Sequence, residues 1–177
     1  MARILVAYFS RSGTTHRVAL DLVSALDADR EEITERVRRR GIIGYARSAV
    51  EATLKSIIDL NPTGHDVSAY DVVVIGTPVW NGSMSSPVRS FIRNHRADMK
   101  AVALFCTYGG RGAERALAQM KRACAKEPVA ALALRESDVW GGARAVTTAK
   151  FVTRVLEHAE PAPKNAAPAA HAPLPSA

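Results

Sequence analysis

Ile4-Leu5-Val6-Ala7-Tyr8-Phe9-Ser10-Arg11-Ser12-Gly13-Thr14-Thr15 is the stretch on which the reading of this chain turns. Its first half is β-branched, aromatic and apolar, the composition of a buried strand, and its second half opens directly into a helical pattern. A strand that breaks into glycine and hydroxyl residues before a helix makes an anion site. Gly13 lets backbone approach a ligand, and Ser10, Ser12, Thr14 and Thr15 offer hydroxyl hydrogen bonds. The first-turn N–H groups of the helix have no partners within it. The natural guest is a phosphate. The same residues also suit an ordinary capped helix start, since serine and threonine are common there.

The loop lacks the Gly-x-x-x-x-Gly-Lys-Ser/Thr of a nucleoside triphosphatase, and it lacks the Gly-x-Gly-x-x-Gly of dinucleotide binding. What remains is a hydroxyl-rich cradle for one terminal phosphate. Downstream, Val18, Ala19, Leu22, Val23 and Leu26 recur at helical spacing, so Thr14 to Leu26 is a helix with one face on a core. A short alternation marks a second strand at Glu32 to Val37. An insertion follows, from Gly41 to Leu60, in which Ala46, Ala49, Val50, Thr53, Leu54 and Ile57 share a helical face that ends at Asn61-Pro62.

Val72-Val73-Val74-Ile75 is a continuous β-branched run, as expected of a central parallel strand covered on both faces. Gly76 to Gly82 reads as a loop, and Pro87 starts a helix with Val88, Phe91, Ile92 and His95 on one face. Ala101 to Cys106 is a fourth strand, and Thr107-Tyr108-Gly109-Gly110-Arg111-Gly112 is a glycine-rich loop. Ala113, Ala116, Leu117, Met120 and Cys124 share the face of a further helix. Val129 to Leu134 is a fifth strand, and a last helix runs from Ala145 to His158 with Ala149, Val152, Val155 and Leu156 inward. Five alternations of strand and helix give an α/β fold, a five-stranded parallel sheet between two helical layers. Residues 1–158 form one domain and 159–177 a disordered tail rich in alanine and proline.

Composition narrows the function. The chain has 177 residues and a formal net charge of +7. Its arginines are interleaved with acidic residues from Asp27 to Glu35, and no aromatic-studded basic strand accompanies them, so specific nucleic-acid binding is not expected. No run approaches the roughly 20 apolar residues of a membrane span and no signal peptide is visible, which points to the cytoplasm. Cys106 and Cys124 are read as buried. They form no metal cluster with His65, His95 or His158, and no metal is assigned.

Strands one, three and four each end in a special loop. In a strand order 2-1-3-4-5 these loops converge on one sheet edge, where the hydroxyl loop would hold a phosphate and Trp80 and Tyr108 would offer flat aromatic surfaces a ring system's length away. The three motifs Ser10 to Thr15, Asp71 to Trp80 and Thr107 to Gly110 together resemble the flavodoxin family. The resemblance covers most of residues 1–158 and implies a flavodoxin-like three-layer sandwich with FMN at the switch point. By that resemblance Ser10, Arg11, Ser12, Gly13, Thr14 and Thr15 wrap the FMN phosphate. Pro78, Val79, Trp80, Asn81 and Gly82 would flank the isoalloxazine ring on one side, and Thr107, Tyr108, Gly109, Gly110 and Gly112 on the other.

The chain departs from electron-transfer flavodoxins in its basic charge, in Arg11 within the phosphate loop, and in the Gly41 to Leu60 insertion. That insertion resembles the larger flavodoxin-like quinone and flavin reductases and offers an interface for a homo-oligomer. Arg11 is expected to face solvent, and His16 the helix surface. Ser10 and Thr77 stand where a receiver domain carries its acidic residues. No cysteine leads the loop as in a small tyrosine phosphatase, and no Gly-x-Ser-x-Gly elbow is present. Three functions stay open. One is an FMN oxidoreductase passing reducing equivalents from NAD(P)H to a quinone or similar acceptor, with the flavin doing the chemistry and no side chain needed as acid or base. The second is a non-enzymatic carrier serving redox partner proteins, and the third a binding protein that keeps the fold without flavin.

Overall fold

The computed structural model describes residues 2–36, 57–141 and 144–159. The elements, in chain order, are β1 (Ile4–Tyr8), α1 (Thr14–Leu26), β2 (Asp29–Glu32), β3 (Val72–Trp80), β4 (Ser83–Met84), α2 (Ser86–His95), β5 (Ala101–Tyr108), α3 (Ala113–Cys124), β6 (Ala131–Arg135), α4 (Glu136–Gly141) and α5 (Arg144–Ala159). A 3-10 turn over Val67–Ala69 precedes β3. The sheet order is β2-β1-β3-β5-β6, all parallel, with the two-residue β4 pairing antiparallel to the end of β3. Leaving β4 aside, this is the expected 2-1-3-4-5 order of a flavodoxin-like sandwich.

Alternation along the central strands divides the core into two layers. Ile4, Val6, Tyr8, Val72 and Val74 face the layer that contains α1 and α5, while Leu5, Ala7, Val73 and Ile75 face the one that contains α2 and α3. All nine of these residues are buried, which is why β1 and β3 read as unbroken apolar runs. Gly76 is required where β3 passes β5. It pairs with Phe105, and a Cβ at Gly76 would stand 2.0 Å from the ring's Cζ.

Several sequence-based boundaries move. The second strand is Asp29–Glu32, upstream of the expected Glu32 to Val37, and pairs Asp29 with Leu5 through Glu32 with Tyr8. Its Asp-Arg-Glu-Glu sequence suits a sheet edge, where charge discourages further pairing, and for that reason it lacks apolar alternation. The expected Gly76 to Gly82 loop is instead the second half of β3 and a hairpin. Gly76, Thr77 and Pro78 pair with Phe105, Cys106 and Thr107. Phe9 N–H donates to Gly76 O, so Pro78, two residues on, turns its missing N–H to the side where β1 has already ended.

The fourth strand continues to Tyr108, and the fifth runs Ala131–Arg135 rather than Val129 to Leu134. In the last helix Phe151 and Val155 are buried, with Thr148 beside them, whereas Ala149 and Leu156 are exposed. Phe151 sets the inward face one step away from the expected one. The short helix α4 has no counterpart in the sequence reading. Residues 37–56, which include most of the Gly41 to Leu60 insertion, and residues 160–177, which include all of the 159–177 tail but its first residue, lie outside the described residues. Among the described residues no helix is long and apolar enough to cross a membrane.

Candidate functional site

The C-terminal ends of β1, β3 and β5 border a cavity of about 910 Å³, near the top of the range of roughly 300–1,000 Å³ for small-molecule sites. Its wall includes Arg11, Ser12, Thr14, Val79, Trp80, Asn81, Gly82, Thr107, Tyr108, Gly109, Gly110 and Gly112 among the expected residues, together with Arg111, Arg115 and Glu136. Ser10, Gly13, Thr15 and Pro78 do not line it. Thr15 is buried beneath it, its hydroxyl 2.8 Å from that of Thr107, which ties the hydroxyl loop to the end of β5.

The hydroxyl loop is built for an anion. Gly13 caps α1 at φ +93, a left-handed conformation that glycine adopts without strain, and no side chain caps the helix. The first-turn N–H groups therefore stay available. The Ser10 hydroxyl oxygen is buried and has no hydrogen-bond partner. A phosphate oxygen would satisfy it. Ser12 and Thr14 hydroxyls stand 3.5 Å apart, and Thr14 donates to Glu136 Oε1 at 2.8 Å. Glu136, the first residue of α4, thus brings a carboxylate to the same hydroxyls. The exposed Arg11 stands at the cavity wall. His16 is half-buried rather than on the surface, with Nδ1 2.7 Å from the Tyr8 hydroxyl. Burial, aided by the Glu32 carboxylate, pushes that phenol up to about 12.

The other end is aromatic. Trp80 meets Phe9 edge-on with centroids 5.8 Å apart, and the Arg135 guanidinium lies 5.9 Å from the Tyr108 ring centre. Asn81 at φ +47 and Gly82 at φ +68 form the two-residue turn between β3 and β4. This is the Asn-Gly signature of a hairpin with both central residues left-handed, a signal that the sequence contained and that the loop reading missed. The turn rests on the β5–α3 loop, since a Cβ on Gly112 would stand 2.5 Å from Gly82 Cα. Two further links hold the hairpin. Ser85 N–H donates to Thr77 Oγ1 at 3.0 Å, and Gln119 Nε2 donates to Ser83 Oγ at 3.3 Å while accepting from Arg89.

Both cysteines are buried. Burial pushes the Cys106 thiol up to about 12 and the Cys124 thiol to about 11, so both stay protonated near neutrality and are poor nucleophiles. Among the described residues no three His, Cys, Asp or Glu side chains gather as metal ligands.

The flavodoxin family model matches residues 3–136, which contain β1 through β6 and the whole cavity wall. The chain belongs to the flavodoxin family. Solved structures agree on the fold. A flavoprotein from Lactobacillus acidophilus, determined in complex with FMN, is 21% identical at a TM-score of 0.67, over 80% of this chain and 98% of that one. Flavodoxin 2 from Bacillus cereus is 20% identical at 0.54, over 88% of this chain and 99% of that one. An NADH:FMN oxidoreductase is 14% identical at 0.54, over 88% of each chain. No curated protein matches the sequence.

Proposed function

We propose that the chain is an FMN-dependent oxidoreductase that passes reducing equivalents from NAD(P)H to a quinone or similar acceptor. The observation that carries this reading is the cavity whose one end holds Ser12, Thr14 and the uncapped start of α1 and whose far wall holds Trp80 and Tyr108, with the unpartnered Ser10 hydroxyl buried in the same loop behind that wall. A buried hydroxyl left unsatisfied costs about 1–3 kcal/mol, and a phosphate oxygen removes that cost. Family membership, and the FMN complex of the Lactobacillus flavoprotein, support FMN as the guest.

In this reading Ser12, Thr14 and the N–H groups at the start of α1 hold the phosphate, with the Ser10 hydroxyl behind them, while Thr15 fixes the loop from beneath through Thr107. Arg11 adds positive charge at the mouth. Trp80 and Tyr108 flank the ring, with Pro78, Val79, Asn81, Gly82, Thr107, Gly109, Gly110 and Gly112 setting backbone around its edge. When bound, FMN supplies the hydride and electron chemistry, and the protein supplies binding, orientation and electrostatics. Trp80 and the hairpin turn exclude water from one side of the ring, and no side chain need move a proton.

The chain's basic charge separates it from the acidic electron-transfer flavodoxins named above and weighs against the carrier reading. The NADH:FMN oxidoreductase among its structural neighbours has the same fold with a donor of the kind proposed. The test is the visible spectrum of the purified protein, titrated with FMN and then with NADH and NADPH without oxygen. Saturable binding with direct bleaching is expected. Binding without bleaching by either nucleotide would convert the reading to a carrier, and no binding would remove flavin from it.

A further inference from the structure

Cations outnumber carboxylates on the cavity wall. Arg11, Arg111 and Arg115 line it against Glu136 alone, in a chain of formal net charge +7. They are not gathered at one place. Arg11 belongs to the hydroxyl loop after β1, whereas Arg111 and Arg115 follow β5, two strands away in the order β1-β3-β5. At the usual spacing of strands that separates the two ends by about 10 Å. Arg115 runs along the hairpin turn, with Cδ 3.8 Å and Nη1 4.0 Å from the point where a Cβ on Gly82 would stand. Arg111 and Arg115 are both exposed, and among the described residues neither has a carboxylate within ion-pair distance.

FMN has one phosphate, and the hydroxyl loop is the end of the cavity built to take it. Arg111 and Arg115 stand on the wall by the Gly82 turn, exposed and, among the described residues, without an ion-pair partner. A guanidinium binds phosphate through a planar pair of N–H donors, which an ammonium cannot match. A nicotinamide dinucleotide that stacked its nicotinamide on a ring at Trp80 would carry its adenosine half towards solvent, where the exposed Arg111 and Arg115 of the cavity wall could meet it.

We propose that Arg111 and Arg115 form a second anion subsite at the ring end of the cavity, which receives the 2′-phosphate of a phosphorylated nicotinamide dinucleotide and selects it over the unphosphorylated donor. The proposal rests on the FMN oxidoreductase reading and names its donor. Two exposed, solvent-screened charge contacts to a phosphate correspond to a preference of about tenfold.

The experiment uses the FMN-loaded full chain, R111Q/R115Q and R111K/R115K, each checked for folding by circular dichroism and for FMN binding by fluorescence quenching. Binding of 2′,5′-ADP and of 5′-AMP is measured by calorimetry, and kcat/KM is compared for NADPH and NADH at low and high salt. The expected result is tighter binding of 2′,5′-ADP than of 5′-AMP in the wild type. The NADPH preference should be about tenfold, weaken with salt, be lost in R111Q/R115Q and be partly kept in R111K/R115K. Equal binding of the two mononucleotides, or a preference that survives R111Q/R115Q, overturns the proposal. So does a double variant in which only the flavin's reduction potential moves, which would assign the arginines to the ring itself. If an acidic redox protein, and neither nucleotide, reduces the flavin in an arginine-dependent and salt-sensitive way, the rim is a protein dock and the proposal fails. A wild type that binds no FMN sinks the functional reading along with it, whereas FMN binding without nucleotide discrimination sinks the subsite alone.

Discussion

At the β1 end of the cavity one continuous loop, Ser10 to Thr15, puts Arg11, Ser12 and Thr14 on the wall beside the open start of α1. At the β5 end the wall is assembled from Trp80 and Gly82 on one hairpin and Tyr108, Gly112 and Arg115 on another segment, brought together only because β3 and β5 are neighbours. The helices that start at the two ends begin alike. Gly13 stands before α1 at φ +93 and Gly112 before α3 at φ +96. Their surroundings differ, because a Cβ on Gly13 would meet nothing within 4 Å, whereas one on Gly112 would run into the Gly82 backbone at 2.5 Å. One glycine answers to its own backbone angle, and the other also holds two loops in contact.

The largest effect that could break this comparison comes from G112A. Left-handed strain and the collision with Gly82 act together, and a backbone neighbour cannot rotate away as a side chain would. We expect a loss of about 3 kcal/mol, seen as a drop of about 10 °C in the thermal melt. G13A has the strain without the collision and should cost about 1–2 kcal/mol. Equal losses in the two variants would mean that the β3–β4 turn shifts freely off the β5–α3 loop, and that the ring end is not a fixed wall.

The same contrast explains what could be read from the sequence. The hydroxyl end was legible in part, because its residues are contiguous: of the six expected, Arg11, Ser12 and Thr14 reach the cavity wall. The ring end was half legible: Trp80 and Tyr108 stood out as aromatics in glycine-rich segments. Arg115 carried no local signal, since one arginine on the exposed face of a helix looks like any other. Glu136 was invisible for a different reason. It opens a helix of six residues, too short for periodicity to register, and its contact with Thr14 spans 122 positions of sequence.

The central strands were legible because β1 and β3 are buried on both faces. The edge strand was not, because the charges of Asp29–Glu32 remove the alternation that announces a strand, while Ile33 just beyond it drew the reading downstream. The second half of β3 and its hairpin were missed because Gly76 was read as the end of the strand, whereas the chain goes on to pair Gly76, Thr77 and Pro78 with β5. The last helix turned on Phe151, whose burial beside Thr148 and Val155 shifts the inward face from the expected Ala149, Val152, Val155 and Leu156.

The two ends should also differ in how they hold FMN. W80L removes aromatic surface at the ring end, and about 1.5 kcal/mol is expected from the aromatic geometry, a weakening of roughly tenfold in Kd. S10A removes the buried hydroxyl at the phosphate end, and with it about 1 kcal/mol of hydrogen bonding, or roughly fivefold. Fluorescence quenching of FMN measures both. Riboflavin, which lacks the phosphate, sharpens the comparison: it should feel W80L as strongly as FMN does and be indifferent to S10A. A loss of riboflavin affinity in S10A would place that hydroxyl's influence at the ring rather than at the phosphate.

The smallest expected effect concerns Glu136, whose carboxylate already accepts the Thr14 hydroxyl at 2.8 Å. A phosphate arriving at the loop must take that donor from Glu136 and approach a like charge, so the wild-type site works against its own ligand. E136Q keeps an oxygen to accept from Thr14 and removes the charge, which isolates the second of these costs. Because Glu136 is exposed, the charge is screened by solvent, and a gain of only about threefold in FMN affinity is expected at low salt, shrinking as ionic strength rises. E136A frees the Thr14 hydroxyl as well and should gain more. If neither substitution tightens FMN binding, Glu136 turns away from the loop at no cost when the ligand arrives. The phosphate end would then be as neutral in function as its hydroxyls suggest, and the charge that matters in this cavity would lie wholly with the arginines.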